Sequence, residues 1–216
     1  MKLSRAFYCR PTLDVARDLL GKVLVHARRG VITGGAIVEV EAYIGESDPA
    51  CHAARGPTPR NRPLYGPPGH AYVYLNYGIH CLVNVVTEPR GVPAAVLIRA
   101  LDPVDGIAVM RRRRARAAGR GRPRRPTRPT DHNLCQGPGN LTTAMGITLD
   151  ENTVDLLGDR LYVEDRGLEV GGVSWGPRIG ISAGGDRLWR ALVPDHPAVS
   201  ARRAVPGARL RGRRNT

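Results

Sequence analysis

The chain has 216 residues, 42% of them hydrophobic, with a mean hydropathy of -0.27, a net charge of +14 and a pI near 10.7. That profile fits an ordinary soluble globular protein of one large or two small domains, with ample length for a core. No apolar run approaches the roughly 18 residues of a membrane span, and "MKLSRAFYCRP" lacks a signal-peptide core, so a cytoplasmic, intracellular protein is expected.

The first predicted element is a short helix over "PTLDVARDLLG", with Thr12 as N-cap and Gly21 as the stop. "KVLVHAR" and "GGAIVEVEAYI" follow as two strands of a hairpin. In the second strand Val38, Val40 and Ala42 alternate with Glu39, Glu41 and Tyr43, so period two sets two carboxylates and a tyrosine on one face. A solvated outer face is the plain reading of that alternation. From Gly45 to Gly69 the chain is a long Pro/Gly-rich loop holding His52, Arg60 and Asn61, and loops of this length are usually functional or disordered. "HAYVYLNYG" and "IHCLVNVVT" are strands meeting at a tight turn, Asn76-Tyr77-Gly78.

"VPAAVLIRAL" is a further apolar strand carrying Arg99, and "DPVDGIAVMRRRRAR" starts a helix. Residues 111–128 hold ten arginines and no acid. Within 111–130 they are read as a disordered, phosphate-attracting insertion, with a merely solubilising arm as the plainer alternative. A short helix after Pro138 and strands in "DRLYVEDR", "WGPRIGIS" and "RLWRALV" follow, with a loose basic tail at 207–216. The expected fold class is α+β: residues 1–216 form a single domain around an antiparallel-rich sheet.

The basic excess points to a polyanionic partner, nucleic acid first, with an anionic membrane surface or plain solubilisation as alternatives. Five of seven tyrosines, Tyr43, Tyr65, Tyr72, Tyr74 and Tyr77, fall within 35 residues, against one phenylalanine in the chain. Rings with polar edges suit a pocket that stacks a planar ligand such as a nucleobase. Arg99 needs an acceptor if buried, and Glu39 and Glu41 are the obvious ones. Either a structural ion pair or a charged pair that holds a water or an anion satisfies it. Cys9, Cys51, Cys81 and Cys135 are scattered, as reduced thiols would be. The Cys51-His52 and His80-Cys81 pairs lack finger-like spacing, so no metal site is assigned. The only lysines are Lys2 and Lys22, which leaves the tyrosine-rich blocks without an amine nucleophile.

Taken together, "VEVEAYIG…DPACHA", "TPRNRPLYGPPGHAYVYLNYG", "HCLVNVV" and "VLIRALDP" resemble the alkyladenine DNA glycosylase family, which excises 3-methyladenine and related damaged purines. The resemblance runs from about Glu39 to Pro103 and continues more weakly through "LCQGPGNLTTAMGI" and "RIGIS". It implies a mixed α/β domain with a curved antiparallel sheet, flanking helices and a protruding hairpin, and neither metal nor organic cofactor. It implies that Glu41 is the base that deprotonates the attacking water, with Arg99 beside that water and a backbone carbonyl of "RIGI" completing the cradle. Tyr43, His52 and Tyr74 match the groups that hold the flipped base, and Asn84 the one that crowds the amine of normal guanine. Tyr77 matches the wedge that enters the duplex, and Arg60, Asn61, Arg62 and Gly78 are the expected DNA-backbone contacts. The expectation is a monomeric, monofunctional glycosylase acting on double-stranded DNA, without lyase activity. A non-catalytic basic nucleic-acid-binding protein is the alternative, and a hydrolase of free nucleosides is a second. Glu39 falls outside the matched roles and is read as supporting structure, and His80 stands where an aromatic is equally plausible.

Overall fold

One long strand organises the molecule. In the computed structural model, which describes residues 1–118 and 130–200, β2 (Val31–Ile44) pairs antiparallel with β5 (Ala94–Asp105) from Gly34 to Ile44. Its first half also pairs with β1 (Val23–Arg28), through a two-residue turn in which Arg29 and Gly30 both have positive φ, the hairpin geometry that matches strand twist. Register shifts on either side of Glu39 leave Val38 without a partner on β5. Such bulges bend a strand. Past the bend β2 leaves β1 and pairs instead with β8 (Arg190–Leu192) over Glu39–Glu41.

The sheet runs β3 (Ala71–Asn76), β4 (His80–Val86), β5, β2, β1, β6 (Leu161–Glu164), with β7 (Ser174–Gly176) attached through β8. Every pairing is antiparallel, and the sheet curls into a half-barrel, in agreement with the expected α+β class. Among the described residues no helix is long and apolar enough to cross a membrane.

The two faces divide the labour. Val38, Val40 and Ala42 join Val83, Val85, Val96 and Ile98 in the main core. That core also takes in Val15, Ala16 and Leu19 of α2 (Thr12–Leu19), which follows the one-turn α1 (Arg5–Tyr8), and Leu141, Ala144 and Met145 of α4 (Pro138–Met145). Each fully buried Val, Leu or Ile contributes about 1.5–3 kcal/mol relative to exposure, which offsets the cost of holding polar groups on the other face. On that face the 45–69 loop covers part of the sheet, burying Cys51, Ala53 and Leu64 against Tyr72, Val86 and Ala95. All four cysteines are unpaired.

Several local expectations change. Thr12 is the first helical residue after Pro11 rather than the N-cap, because its hydroxyl is committed to Thr87 and Glu88. Residues 111–118, expected within a disordered insertion, continue α3 (Ile107–Ala118). Arginine is a good helix former, and tertiary bonds fix the run. Arg113 Nη1 donates to the carbonyls of Ala144 (3.1 Å) and Met145 (2.6 Å), capping the C-terminus of α4, and Arg111 pairs with Asp131. Residues 119–129 of the insertion and the tail 207–216 lie outside the described residues. The strand expected over "WGPRIGIS" is confined to Ser174–Gly176; Arg178–Ser182 turns into a loop whose polar groups bond to β2 instead of to a ladder.

Candidate active site

Register sets the site out in rows. Glu41 lies opposite Leu97, Leu97 opposite Asn84, and Asn84 opposite Tyr72, so one line crosses β2, β5, β4 and β3 on the polar face. Tyr43 and Arg99 sit two residues along from Glu41 and Leu97, and period two keeps them on the same face.

Glu41 is fully buried, and its carboxylate is spoken for on both oxygens. Oε1 accepts from the Ile179 backbone N–H at 2.7 Å, and Oε2 from the Tyr43 hydroxyl at 2.8 Å. Arg99 Nη1 stands 3.2 Å from Oε2. Three donors from three separate segments therefore fix the carboxylate. Burial and the Glu41 charge both push the Tyr43 hydroxyl well above the ordinary tyrosine range, so it stays a donor.

Arg99 pairs with both carboxylates. Its Nη1 faces Glu41, while its Nε donates to Glu39 Oε1 at 3.1 Å and its Nη2 to Ser200 Oγ at 3.3 Å. Glu39, also fully buried, accepts from Arg190 Nε and from the Ser200 N–H, both at 2.7 Å. Burial alone would raise the Glu39 pKa; the Arg99 charge and the Ser200 bonds more than offset it and hold the carboxyl below its usual range. Glu39 thus orients the guanidinium that faces Glu41.

A cavity of about 520 Å³ opens in front of this cluster, within the roughly 300–1,000 Å³ of small-ligand sites. Tyr43, His52, Tyr74, Asn84 and Arg99 all line it. The His52 and Tyr74 rings lie 4.4 Å apart at 66°, and Tyr72 and Tyr74 are 5.3 Å apart. His52 Nδ1 is 2.8 Å from the Tyr72 hydroxyl. Burial, helped by the Arg60 charge, lowers the His52 pKa and favours the neutral ring, and burial with the Glu41 charge pushes Tyr74 up to about 12. A neutral imidazole tied at Nδ1 leaves Nε2 for a ligand. Tyr72 had no assigned role in the sequence, and its place opposite Asn84 was the available signal. Asn84 is almost fully buried and donates from Nδ2 to the Tyr72 carbonyl at 3.0 Å.

At the rim the β3–β4 turn holds Tyr77 and Gly78 at positive φ, and Tyr77 is 87% exposed, with Ile79 beside it 73% exposed. The ring projects into solvent at the mouth of the cavity, whose lining includes it. His80 packs its ring on α4, where a Cβ at Gly139 would come within 2.8 Å of it. Arg60 and Arg62 are exposed, and Arg60 Nη2 donates to the Leu75 carbonyl at 3.1 Å. Asn61 departs from its expected role. It is buried, its Nδ2 donates to the carbonyls of His52 (2.8 Å) and Gly56 (2.9 Å), and its Oδ1 accepts from the Thr58 N–H. Its side chain braces the loop that carries His52 and has no donor left for a phosphate.

Both lysines are engaged elsewhere: Lys2 with Asp159 and the Gly158 carbonyl, Lys22 with Asp165. Among the described residues no group of three or more His, Cys, Asp or Glu side chains is suited to a metal ion.

Residues 6–197 match the profile of the Methylpurine-DNA glycosylase (MPG) family. Similar proteins include one from Prosthecochloris aestuarii, 45% identical over 210 residues, covering 95% of this chain and 94% of that protein. One from Methanocella arvoryzae is 47% identical over 209 residues (95% and 98%), and one from Clostridium acetobutylicum 45% over 204 residues (93% and 98%). All three are provisionally named 3-methyladenine DNA glycosylases. With the match covering nearly all of the sequence and the whole of the cavity wall, the chain belongs to the methylpurine-DNA glycosylase family.

Proposed function

We propose that this family member excises alkylated or deaminated purines from double-stranded DNA as a monofunctional DNA-repair glycosylase. The observation that carries the reading is the buried Glu41 carboxylate, held by Tyr43, Arg99 and the Ile179 amide, three residues that themselves line an aromatic cavity.

Tyr77 wedges into the duplex and holds open the gap left by an extruded purine, a step that costs a few kcal/mol. The base enters the cavity against Tyr43 on one side and the His52–Tyr74 wall on the other, and stacking returns about 1–3 kcal/mol. A cationic alkylpurine gains further from electron-rich ring faces. As the N-glycosidic bond lengthens, positive charge develops at the sugar, and the Glu41 carboxylate stabilises it. A water oxygen then bonds to C1′, its proton passes to Glu41, and the bonding pair leaves with the purine. A base that was cationic departs neutral. Positioned base catalysis of this kind contributes about 10²–10⁴-fold. Asn84, on the cavity wall, crowds the exocyclic amine of normal guanine. Arg60, Arg62 and the Gly78 backbone meet phosphates at the rim, inside the cell where DNA is. A single chain carries every one of these groups, so a monomer suffices.

The test is base release from a panel of duplexes, each with a single 3-methyladenine, 7-methylguanine, hypoxanthine or ethenoadenine. Release of at least one, leaving an abasic site that borohydride does not trap on the protein, supports the reading. Release of none, or a trapped covalent adduct, overturns it.

A further inference from the structure

Against the Tyr43 ring, and outside the residues that line the cavity, stands a charged stack to which the mechanism above gives no role. Arg178 lies between β7 and β8 and is only 5% exposed. Its Nη1 donates to Asp48 Oδ2 at 2.6 Å and to the Ala42 carbonyl at 3.0 Å; its Nη2 donates to Asp48 Oδ1 at 2.8 Å and to the Gly184 carbonyl at 3.3 Å. Asp48, fully buried, is itself fixed by the N–H groups of Ala50 and Ile44. The guanidinium carbon sits 4.7 Å from the centre of the Tyr43 ring and 5.1 Å from that of Trp189, whose ring Arg187 approaches at 4.5 Å. The order is Tyr43, Arg178, Trp189, Arg187.

We propose that Arg178 is a positioning residue for both halves of the site, fixing the plane of the Tyr43 ring and delivering the Ile179 amide to Glu41. The Tyr43 hydroxyl, bonded to Glu41, anchors only the tip of the ring; the guanidinium stacked on its face sets the tilt. Nη1 ties the same guanidinium to Ala42, the residue between Glu41 and Tyr43. The next residue along the chain from Arg178 supplies the N–H that Glu41 Oε1 accepts at 2.7 Å. One bidentate anchor to Asp48 therefore sets the geometry of base stacking and of the carboxylate together, and lysine could not reproduce its flat fork.

This inference rests on the glycosylase reading, and the experiment separates the two. The Asp48→Leu/Arg178→Leu double variant removes the pair without a net change of charge, an exchange that is often neutral for stability when a buried ion pair is replaced by apolar residues. Single-turnover base release should fall about 10–100-fold, the scale of loss for a misplaced reacting group, with a smaller change in affinity for the lesion duplex. Arg178→Lys, which keeps a cation beside Asp48 but not the flat fork, should not restore the rate. A merely structural pair would leave the rate per folded molecule unmoved and would be served by lysine. Should the double variant not fold, Arg178→Lys, which keeps the charge on Asp48 but not the stack, takes its place with the same expected loss. A wild-type single-turnover rate in the folded variant overturns the inference. A wild-type protein that releases no base overturns the glycosylase reading instead.

Discussion

Replacing Glu39 by glutamine removes a negative charge from a fully buried position that answers two guanidiniums and one backbone amide. Breaking a buried ion pair by deleting one partner costs about 3–5 kcal/mol, because the remaining charge is left in a dry setting. Glutamine keeps one carbonyl acceptor, and Arg99 keeps Glu41, so the expected loss is at the lower end, about 3 kcal/mol. Against a typical total of about 5–15 kcal/mol this is a large fraction. At about 2–4 °C per kcal/mol for a chain of this size, the melting temperature should fall by roughly 6–12 °C. The pH dependence has a definite sign. The folded Glu39 carboxyl is held below its ordinary value of 4.5, so its contribution is present above that value and is lost as pH falls through the folded one. The gap between wild type and variant should be full at pH 7 and shrink below about pH 4.5. Urea melts at a series of pH values measure it, read from midpoints with unchanged slope. A loss under about 1 kcal/mol at pH 7, or a gap that does not narrow in acid, would refute the reasoning.

Tyr77→Ala should slow base release from duplex DNA about 5- to 150-fold, the equivalent of one lost stacking contact, and leave cleavage of a free damaged nucleoside unchanged. Equal losses on both substrates would place the ring in the chemistry rather than in the duplex. Asn61→Ala should cost about 2–4 kcal/mol in a urea melt by leaving loop carbonyls and the Thr58 amide unpaired. It should leave the salt dependence of duplex binding unchanged, whereas losing a phosphate contact at Arg60 or Arg62 should flatten the slope of log K against log salt by about 0.9.

The part of the site built on strands was legible in the sequence. Alternation in "AIVEVEAYIG" set Glu39, Glu41 and Tyr43 on one face, and the structure gathers them there with Arg99. What the alternation did not reveal is the bulge at Val38, which arises from a mismatch with β5 some 60 residues away and turns β2 towards β8. The partners that complete the polar cluster come from still farther along the chain. Arg178, Ile179, Arg190 and Ser200 lie 136 or more positions beyond the β2 residues they touch. Arg178 and Ile179 fall in a segment read as a strand that is a loop here, and Ser200 lies in no expected element. Asn61 was misread for the opposite reason: Thr-Pro-Arg-Asn-Arg has the composition of an exposed basic loop, and only the fold shows the asparagine turned inward to bind its own neighbours. The arginine run carried two readings, the end of a helix through Arg116 and a disordered insertion over 111–130, and residues 111–118 follow the first by extending α3.

The central claim is that Glu41 activates the water that cleaves the glycosidic bond, and Glu41→Gln tests it most directly. The variant keeps the size of the side chain and one acceptor oxygen while removing the base. Single-turnover release of the damaged purine from a single-lesion duplex should fall by at least about 10²-fold, with binding of the same duplex retained. Release at the wild-type rate would contradict the account and leave a basic nucleic-acid-binding protein whose buried carboxylate is structural.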